Sequence, residues 1–451
     1  MLLDLLYLAG ITLGTPYILL KMATSERFRA GLSQRLGWVP ERKGQGPCFW
    51  VHTASVGEVL TAKTLINAIE EVLPGYDIVI TTSTNTGFSV AKRNFADKEI
   101  FYFPLDLSWI IRKVFNNIKP ACIVLIELEL WPNLLIAATQ QGIPVVVMNG
   151  RISARSEKAY QVLSFLSREF ARALTSKRNL YCARTKADAE LFHKLGIVDE
   201  RILVTGTMKY DNISTQQDEG VSNNFARLFN IKNASLKASP ENLLLTPVIV
   251  GGSTHEGEEA ALLRVYKTLR HKINNLRLIL APRHVERTKD VVKLIKAMGL
   301  SCVQKTHLDK GSISNDDAVI LIDTVGDLAK IYSLASCVFI GKSLFAKGGQ
   351  NVMEPAGLGV PVVCGPYMYN FKEEMQLLQA NQAVKVVNNE QELLNTIQGF
   401  LEDPNAAKEM GQRAKKVVIE SKGATERNIA ILKNLLEDLR LSSVEAKERK
   451  V

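Results

Sequence analysis

Cys48-Phe49-Trp50-Val51-His52-Thr53-Ala54-Ser55-Val56-Gly57-Glu58 runs from an uninterrupted apolar segment into small polar residues and a single carboxylate. Such a run reads as a short buried strand, a loop, and the first turn of a helix. Ala54, Ser55 and Gly57 leave the backbone open to close approach by a ligand, and the carboxyl end of a strand is where open α/β sheets bind substrates. Glu58 is therefore a candidate general base, with helix capping as its alternative role.

Working outward, the same grammar repeats. Tyr76-Asp77-Ile78-Val79-Ile80-Thr81, Ala121-Cys122-Ile123-Val124-Leu125-Ile126 and Ile143-Pro144-Val145-Val146-Val147-Met148 are near-continuous apolar runs separated by helical patterns. This predicts an α/β fold with parallel sheets covered on both faces. The alternation stops after Lys209-Tyr210-Asp211, and residues 212–243, rich in Asn, Ser, Gln and Asp, read as a linker. A second series follows, with runs at 248–251, 276–280, 319–322, 337–340 and 360–364. The expected organisation is an anchor helix over 1–22, doubly wound domains over 23–211 and 244–440 facing a cleft, and a charged tail over 441–451.

The 451 residues suit two ordinary cores. An excess of 56 Lys+Arg over 46 Asp+Glu gives a net charge of +10 and favours acidic partners: phosphates, anionic membrane or nucleic acid. The six cysteines form no CxxC pair and have no histidines at metal-ligand spacing, so they read as reduced core residues. Leu2 to Leu20 carries one charge, Asp4, near its outer end, and would extend roughly 28 Å as a helix. The basic flank of Lys21, Arg27, Arg29 and Arg35 puts the following chain on the cytoplasmic side of a membrane. The run reads as an uncleaved anchor; an amphipathic or buried first helix broken near Pro16 is the alternative.

Each strand of the second domain is followed by a polar signature. These are Gly252-Ser253-Thr254-His255-Glu256-Gly257-Glu258-Glu259, Pro282-Arg283-His284, Asp323-Thr324-Val325-Gly326-Asp327, and Gly348-Gly349-Gln350-Asn351-Val352-Met353-Glu354-Pro355-Ala356. Small polar residues of the first can cap a helix and offer backbone N–H groups to a phosphate. In the last, Asn351 can cap the next helix and Glu354 can accept ribose hydroxyls. Neither a dinucleotide fingerprint nor a P-loop follows any of these strands, which disfavours NAD and ATP and leaves a nucleotide-sugar donor.

In the first domain, Glu127-Leu128-Glu129-Leu130-Trp131-Pro132-Asn133 places two carboxylates at i and i+2, which strand period puts on one face, with salt bridges across the cleft as the alternative to a catalytic role. Arg151 and Arg155 in Asn149 to Ser156, and Lys209 in Gly206 to Asp211, supply cations. Residues 151–186 hold nine basic side chains, among them Arg168, Arg172, Arg178 and Arg184, interleaved with Tyr160, Phe165 and Phe170. That suits an anionic membrane or phosphorylated lipid, with a plain solvated helix as fallback, and no nucleic-acid recognition module accompanies it.

Together, the apolar start, Ser55-Val56-Gly57-Glu58, Glu127 to Asn133, Arg151 to Ser156, Ser253 to Glu259, Pro282-Arg283-His284 and Asn351 to Ala356 closely resemble the bacterial 3-deoxy-D-manno-octulosonic acid (Kdo) transferases, over nearly the whole chain. The resemblance implies a GT-B fold, CMP-Kdo as donor, a phosphorylated tetraacyl-disaccharide lipid A precursor as acceptor, and the inner-membrane surface as location. It implies an inverting transfer with no metal or cofactor. Glu58 would deprotonate the acceptor hydroxyl, Glu127 and Lys209 would steady the transition state, and Ser55, Gly57, Arg151 and Arg155 would line the acceptor side. CMP would be held by Pro282, Arg283, Val325, Gly326, Asp327, Asn351, Val352, Met353 and Glu354.

Four positions depart from the family pattern: Gln350 stands for a common His, Lys342 for Gly, Val352-Met353 for Pro-Leu, and Tyr367 for His. Gln350 can hydrogen-bond but cannot carry an imidazole's proton or charge. A transferase using another nucleotide sugar, and a noncatalytic lipid-binding protein with structural carboxylates, are the competing expectations.

Overall fold

The computed structural model describes residues 2–25, 29–232, 246–309 and 318–448; Arg27, residues 233–243 of the expected linker and the last three residues of the tail lie outside them. Two compact units emerge, one of residues 1–212 with 422–451, the other of residues 213–421. Each contains one seven-stranded parallel sheet.

The first sheet holds β1 (Cys48–Thr53), β2 (Asp77–Thr82), β3 (Glu99–Tyr102), β4 (Cys122–Ile126), β5 (Val145–Gly150), β6 (Leu180–Ala183) and β7 (Ile202–Val204), in the order β3-β2-β1-β4-β5-β6-β7. Strand periodicity divides the apolar runs between two cores. Trp50, Ile123, Leu125, Val145 and Val147 pack into one; Phe49, Val51, Val124, Val146 and Met148 pack into the other. Both faces are thus dry, which is why these strands read as continuous apolar runs. The strand order reverses between β1 and β4, and ligands bind such sheets at that switch point. Glu58 follows β1 and Glu127 follows β4.

The second sheet holds β8 (Val248–Thr254), β9 (Arg277–Pro282), β10 (Cys302–Gln304), β11 (Val319–Leu321), β12 (Cys337–Ile340), β13 (Val362–Cys364) and β14 (Lys385–Val386). Its order is β10-β11-β9-β8-β12-β13-β14, with β8 and β12 flanking the switch point. All five expected strands are present. The two edge strands, β10 and β14, escaped prediction because they are only three and two residues long and lack a buried apolar run.

Two expected boundaries move. The final helix, Ala424–Glu448, expected either to end the second domain at 440 or to pack back on the first, belongs to the first unit. Ile429, Leu432, Leu435 and Leu436 fill the first unit's core beside Leu65 and Ile66 of the helix Val56–Val72. Asp211 accepts the Gly423 and Thr425 backbone N–H groups at 2.7 and 2.6 Å, and Arg427 donates to the Thr205 carbonyl at 2.8 Å. The helix also extends through residues 441–448 of the expected tail. Within the expected linker, the helix Glu219–Leu228 belongs to the second unit, where Ser222 bonds Ser333 at 2.6 Å.

Helix α1 (Leu2–Thr24) is long and apolar enough to cross a membrane. Its first turn, however, is not an outer end remote from the domain. Leu3 is buried in the first unit's core, and Asp4 accepts hydrogen bonds from the Ser108 N–H at 2.9 Å and the Asn133 amide at 3.2 Å. Tyr7 donates to Asp106 at 3.1 Å, and Asp106 in turn receives the Asn133 and Leu134 N–H groups, both at 2.9 Å. Removing the buried Asp4 carboxylate leaves one backbone N–H and one side-chain amide N–H without their acceptor. Asp4→Ala should therefore lower the unfolding free energy by about 1–3 kcal/mol in denaturant titration. A change below about 0.5 kcal/mol, the level of an ordinary surface substitution, would show that α1 is not fastened to the unit.

Candidate active site

Glu58 sits in the first turn of Val56–Val72 and closes a capping box with Ser55, whose hydroxyl is 3.4 Å from the Glu58 N–H. The carboxylate reaches back to accept the Ala54 N–H at 2.6 Å and the Ser55 hydroxyl at 3.0 Å. The capping role and a chemical role thus coexist in one side chain. Burial pushes its pKa up to about 7, the Ala54 and Ser55 hydrogen bonds oppose that rise, and the charges of Glu127 and Glu129 add to it. A carboxylate poised near neutrality can take and release a proton at physiological pH.

The two carboxylates after β4 do not share a strand face, as the i, i+2 spacing suggested. β4 ends at Ile126, and Glu127 adopts φ 63°, so the period of two breaks there. A side chain with a Cβ rarely enters that left-handed region, and such residues cluster at functional sites. Glu127 pairs with Lys209 at 3.2 Å. Glu129 instead accepts the Trp131 indole N–H at 2.8 Å and lies 3.7 Å from His52 Nε2. His52 is fully buried, its ring tilted against Phe103 with centroids 3.9 Å apart, and Nδ1 lies 3.0 Å from the Thr81 hydroxyl.

Lys209 reaches Glu127 through a device that local sequence could not reveal. Asn149, at the end of β5 with φ 56°, accepts the Met208 N–H at 3.1 Å and fixes the short turn Met208–Tyr210. That contact spans 59 residues of sequence. Asn133, expected with the motif after β4, takes an architectural role by joining α1 to Asp106.

Gly57 stands in the first turn beside Glu58, and Arg151 and Arg155 are exposed, with no ion pair among the described residues. The basic stretch divides. Phe165 is exposed, whereas Phe170 and Arg184 are buried, Arg184 lying 4.0 Å from Asp188, so neither contributes to an outward basic face. The apolar interleaving partly reflects helices packing onto the sheet rather than a membrane-facing pattern.

In the second unit, the expected donor residues share the carboxyl edge of the sheet. Pro282 ends β9 and Arg283 follows it, Val325, Gly326 and Asp327 follow β11, and Asn351, Val352, Met353 and Glu354 follow β12. Asn351 caps the turn by accepting the Met353 N–H at 3.1 Å and donates to Glu354 at 2.9 Å. Burial raises the Glu354 pKa, against which its Asn351 hydrogen bond and the charge of Arg283 act. Asp327 is held 3.3 Å from Lys305, and Val325 beside it is exposed. Gly349 adopts φ 78°, and a Cβ there would meet the Met368 sulfur at 2.5 Å, so the approach to Gln350 requires glycine.

The loop after β8 is tied down by a carboxylate of the chain itself. Glu258 is completely buried and accepts four backbone N–H groups, from His255, Lys342, Ser343 and Leu344, at 2.8–3.0 Å. Of these four donors only His255 belongs to the loop after β8; the other three follow β12. Glu258 is thus a clamp that joins the loops after β8 and β12. Glu259, also buried, forms a two-point contact with Arg287, at 2.9 and 3.4 Å.

Residues 30–212 match the family described as 3-Deoxy-D-manno-octulosonic-acid transferase (kdotransferase), and residues 260–417 match glycosyl transferases group 1. The chain is 30% identical over 425 residues to a 3-deoxy-D-manno-octulosonic acid transferase of Haemophilus influenzae, covering 93% of this chain and 95% of that one. It is 31% identical over 369 residues to the transferase of the same description from Chlamydophila psittaci, covering 81% of this chain and 80% of the relative. Among solved structures, a glycosyltransferase from Rickettsia africae covers 87% of this chain and 99% of its own, with a TM-score of 0.54 at 13% identity, a likeness of fold. Two parallel-sheet α/β domains of the GT-B class are the common architecture.

Proposed function

The chain belongs to the Kdo transferase family of glycosyltransferases, and from that premise we propose that it transfers Kdo from CMP-Kdo to a phosphorylated, acylated lipid A precursor at the cytoplasmic face of the inner membrane. The observation that carries this reading is Glu58, a carboxyl pushed up to about 7 at the switch point of the first sheet. In the proposed step Glu58 takes the proton of the acceptor hydroxyl. The hydroxyl oxygen bonds to the anomeric carbon as the bond from that carbon to the phosphate oxygen breaks on the opposite side. CMP leaves as a phosphate monoester and the anomeric centre is inverted.

Lys209, held against Glu127, supplies positive charge on the acceptor side, and Ser55, Gly57, Arg151 and Arg155 are the proposed acceptor contacts. On the donor side, Arg283 offers a cation beside Glu354, and Asn351 and Glu354 offer groups suited to ribose hydroxyls. Preorganised cations and dipoles can stabilise a leaving phosphate. The reading needs neither a metal nor a cofactor.

The test is to incubate the detergent-solubilised chain with CMP-Kdo and a tetraacyl-disaccharide lipid A precursor, with and without a chelator. Mass spectrometry should show a Kdo-bearing lipid and CMP at equal rates in both, and NMR should show an inverted anomeric centre. Well-folded protein that gives no product with CMP-Kdo, but gives one with another nucleotide sugar, would replace the donor. Chelator-sensitive turnover would overturn metal independence.

A further inference from the structure

A cavity of about 800 Å³ lies between α1 and the rest of the first unit. Ile11, Ile18 and Met22 of α1, with Leu32, Leu36 and Leu105, give it an apolar wall. Its other end is polar, formed by Arg35 and by the loop from Ser83 to Thr86. That size and that mixture, mostly apolar with a few polar groups at one place, are those of ligand pockets.

Three observations say what would occupy it. The polar end adjoins the loop that carries the candidate base, because Thr84 donates to the Ala54 carbonyl at 3.1 Å and Ala54 donates to Glu58. Arg35 stands at that end, oriented by a 2.6 Å hydrogen bond to the Ser83 carbonyl and by the Tyr102 ring 4.8 Å away, and offers a positive charge to a phosphate. The opposite, outward side of α1 is apolar, with Leu13 85% exposed and Leu5, Tyr17, Leu19 and Leu20 also exposed. A lipid could thus pass from a bilayer at the α1 surface to the sugar site without exposing its chains to water.

We propose that this cavity holds an acyl chain of the acceptor, with Arg35 at the chain's polar end, and that α1, fastened to the unit through Asp4, lies along the bilayer surface as one wall of the channel. The assignment rests on the lipid acceptor proposed above. α1 extends roughly 35 Å, and its first turn is already committed to Ser108 and Asn133. A helix swung out to span the bilayer would have to break those bonds and would dismantle the cavity.

The experiment uses the full chain in detergent and two acceptors, the acylated phosphorylated disaccharide and its fully deacylated counterpart. Ile18→Trp, and independently Leu105→Trp, fill the cavity. Each should lower the ratio of kcat/KM for the acylated over the deacylated acceptor by about tenfold or more, as expected when one buried side chain's worth of apolar contact is lost. Val198→Trp, at an exposed position away from α1 and the cavity, should leave the ratio within about twofold, the variation of a surface substitution. A ratio unchanged in both cavity variants overturns the proposal.

A lysophospholipid carrying a photoreactive acyl chain supplies a readout that needs no turnover. Its label should fall on Ile11, Ile18, Met22 or Leu105 and be lost in Ile18→Trp. Label confined to the outward side of α1 overturns the proposal even if transfer to the lipid is observed. If neither acceptor is glycosylated, the transferase reading fails on its own, and the labelling pattern still decides whether the cavity takes an acyl chain.

Discussion

Glu58→Gln should lower kcat by about a hundred- to ten-thousand-fold while leaving the fold and CMP binding intact, the loss expected for a positioned general base. The amide keeps the shape of the carboxylate and can still accept the Ala54 N–H through its oxygen, so the capping geometry survives. It has no lone pair basic enough to take a proton. The wild-type pH profile supplies a second signature. Burial raises the Glu58 carboxyl to about 7, so the basic form is lost below neutrality and log kcat/KM should fall with slope about one as pH drops below 7.

Stability runs the other way. A carboxyl raised in the folded state binds its proton more tightly there than in the unfolded chain. Its contribution is fully present below the ordinary carboxyl pKa of 4.5 and is lost as pH rises through about 7. At pH 8 the wild type carries a partly screened buried charge that Gln lacks, so Glu58→Gln should be more stable by about 1–2 kcal/mol. At pH 4 the two should be nearly equal. Unchanged turnover in the Gln variant would remove Glu58 from the chemistry and leave it the helix cap that its hydrogen bonds also describe.

The second large effect is expected at Glu258, far from Glu58 in sequence and without a proposed role in the chemistry. Four backbone N–H groups converge on its buried carboxylate, from loops that follow β8 and β12. Glu258→Ala leaves all four without a partner in a dry interior, and losses of this kind cost about 3–5 kcal/mol. Glu258→Gln should cost less, since its amide oxygen can serve some of the donors while its NH₂ group faces the others. Denaturant unfolding of the full chain should show the transition that reports the second unit moving to lower concentration, in the order Ala, Gln, wild type. CMP titration should weaken in parallel, because the loop from Lys342 to Leu344 leads into the Asn351–Glu354 turn. A loss below about 1 kcal/mol for Glu258→Ala would show that water replaces the clamp.

Much of the fold was legible because it is written in short-range patterns. Parallel strands buried on both faces carry runs of consecutive apolar residues, so β1, β4, β5, β8 and β12 announce themselves. β10 and β14, short edge strands, have no such requirement. The candidate site was legible in part for the same reason. Glu58 stands out as a carboxylate among small residues at a strand end, and Asn351 and Glu354 stand in the first turn after a glycine pair.

The chain's sequence by itself determined two doubly wound units, the order of their strands' apolar runs, the family, and the residues that carry the motifs. Tertiary structure alone decided which of those residues meet. Glu127 and Glu129 are two positions apart, but a left-handed backbone at Glu127 sends one to Lys209 and the other to His52 and Trp131. Asp4 joins residues 104 and 129 positions away, Asp211 captures the start of the last helix 212 residues on, and Glu258 binds a loop 84 to 86 residues distant. The physical reason is common to all of them. Periodicity and capping are enforced by neighbours along the chain, whereas the pairing of a buried polar group is enforced by whatever donors the fold brings beside it.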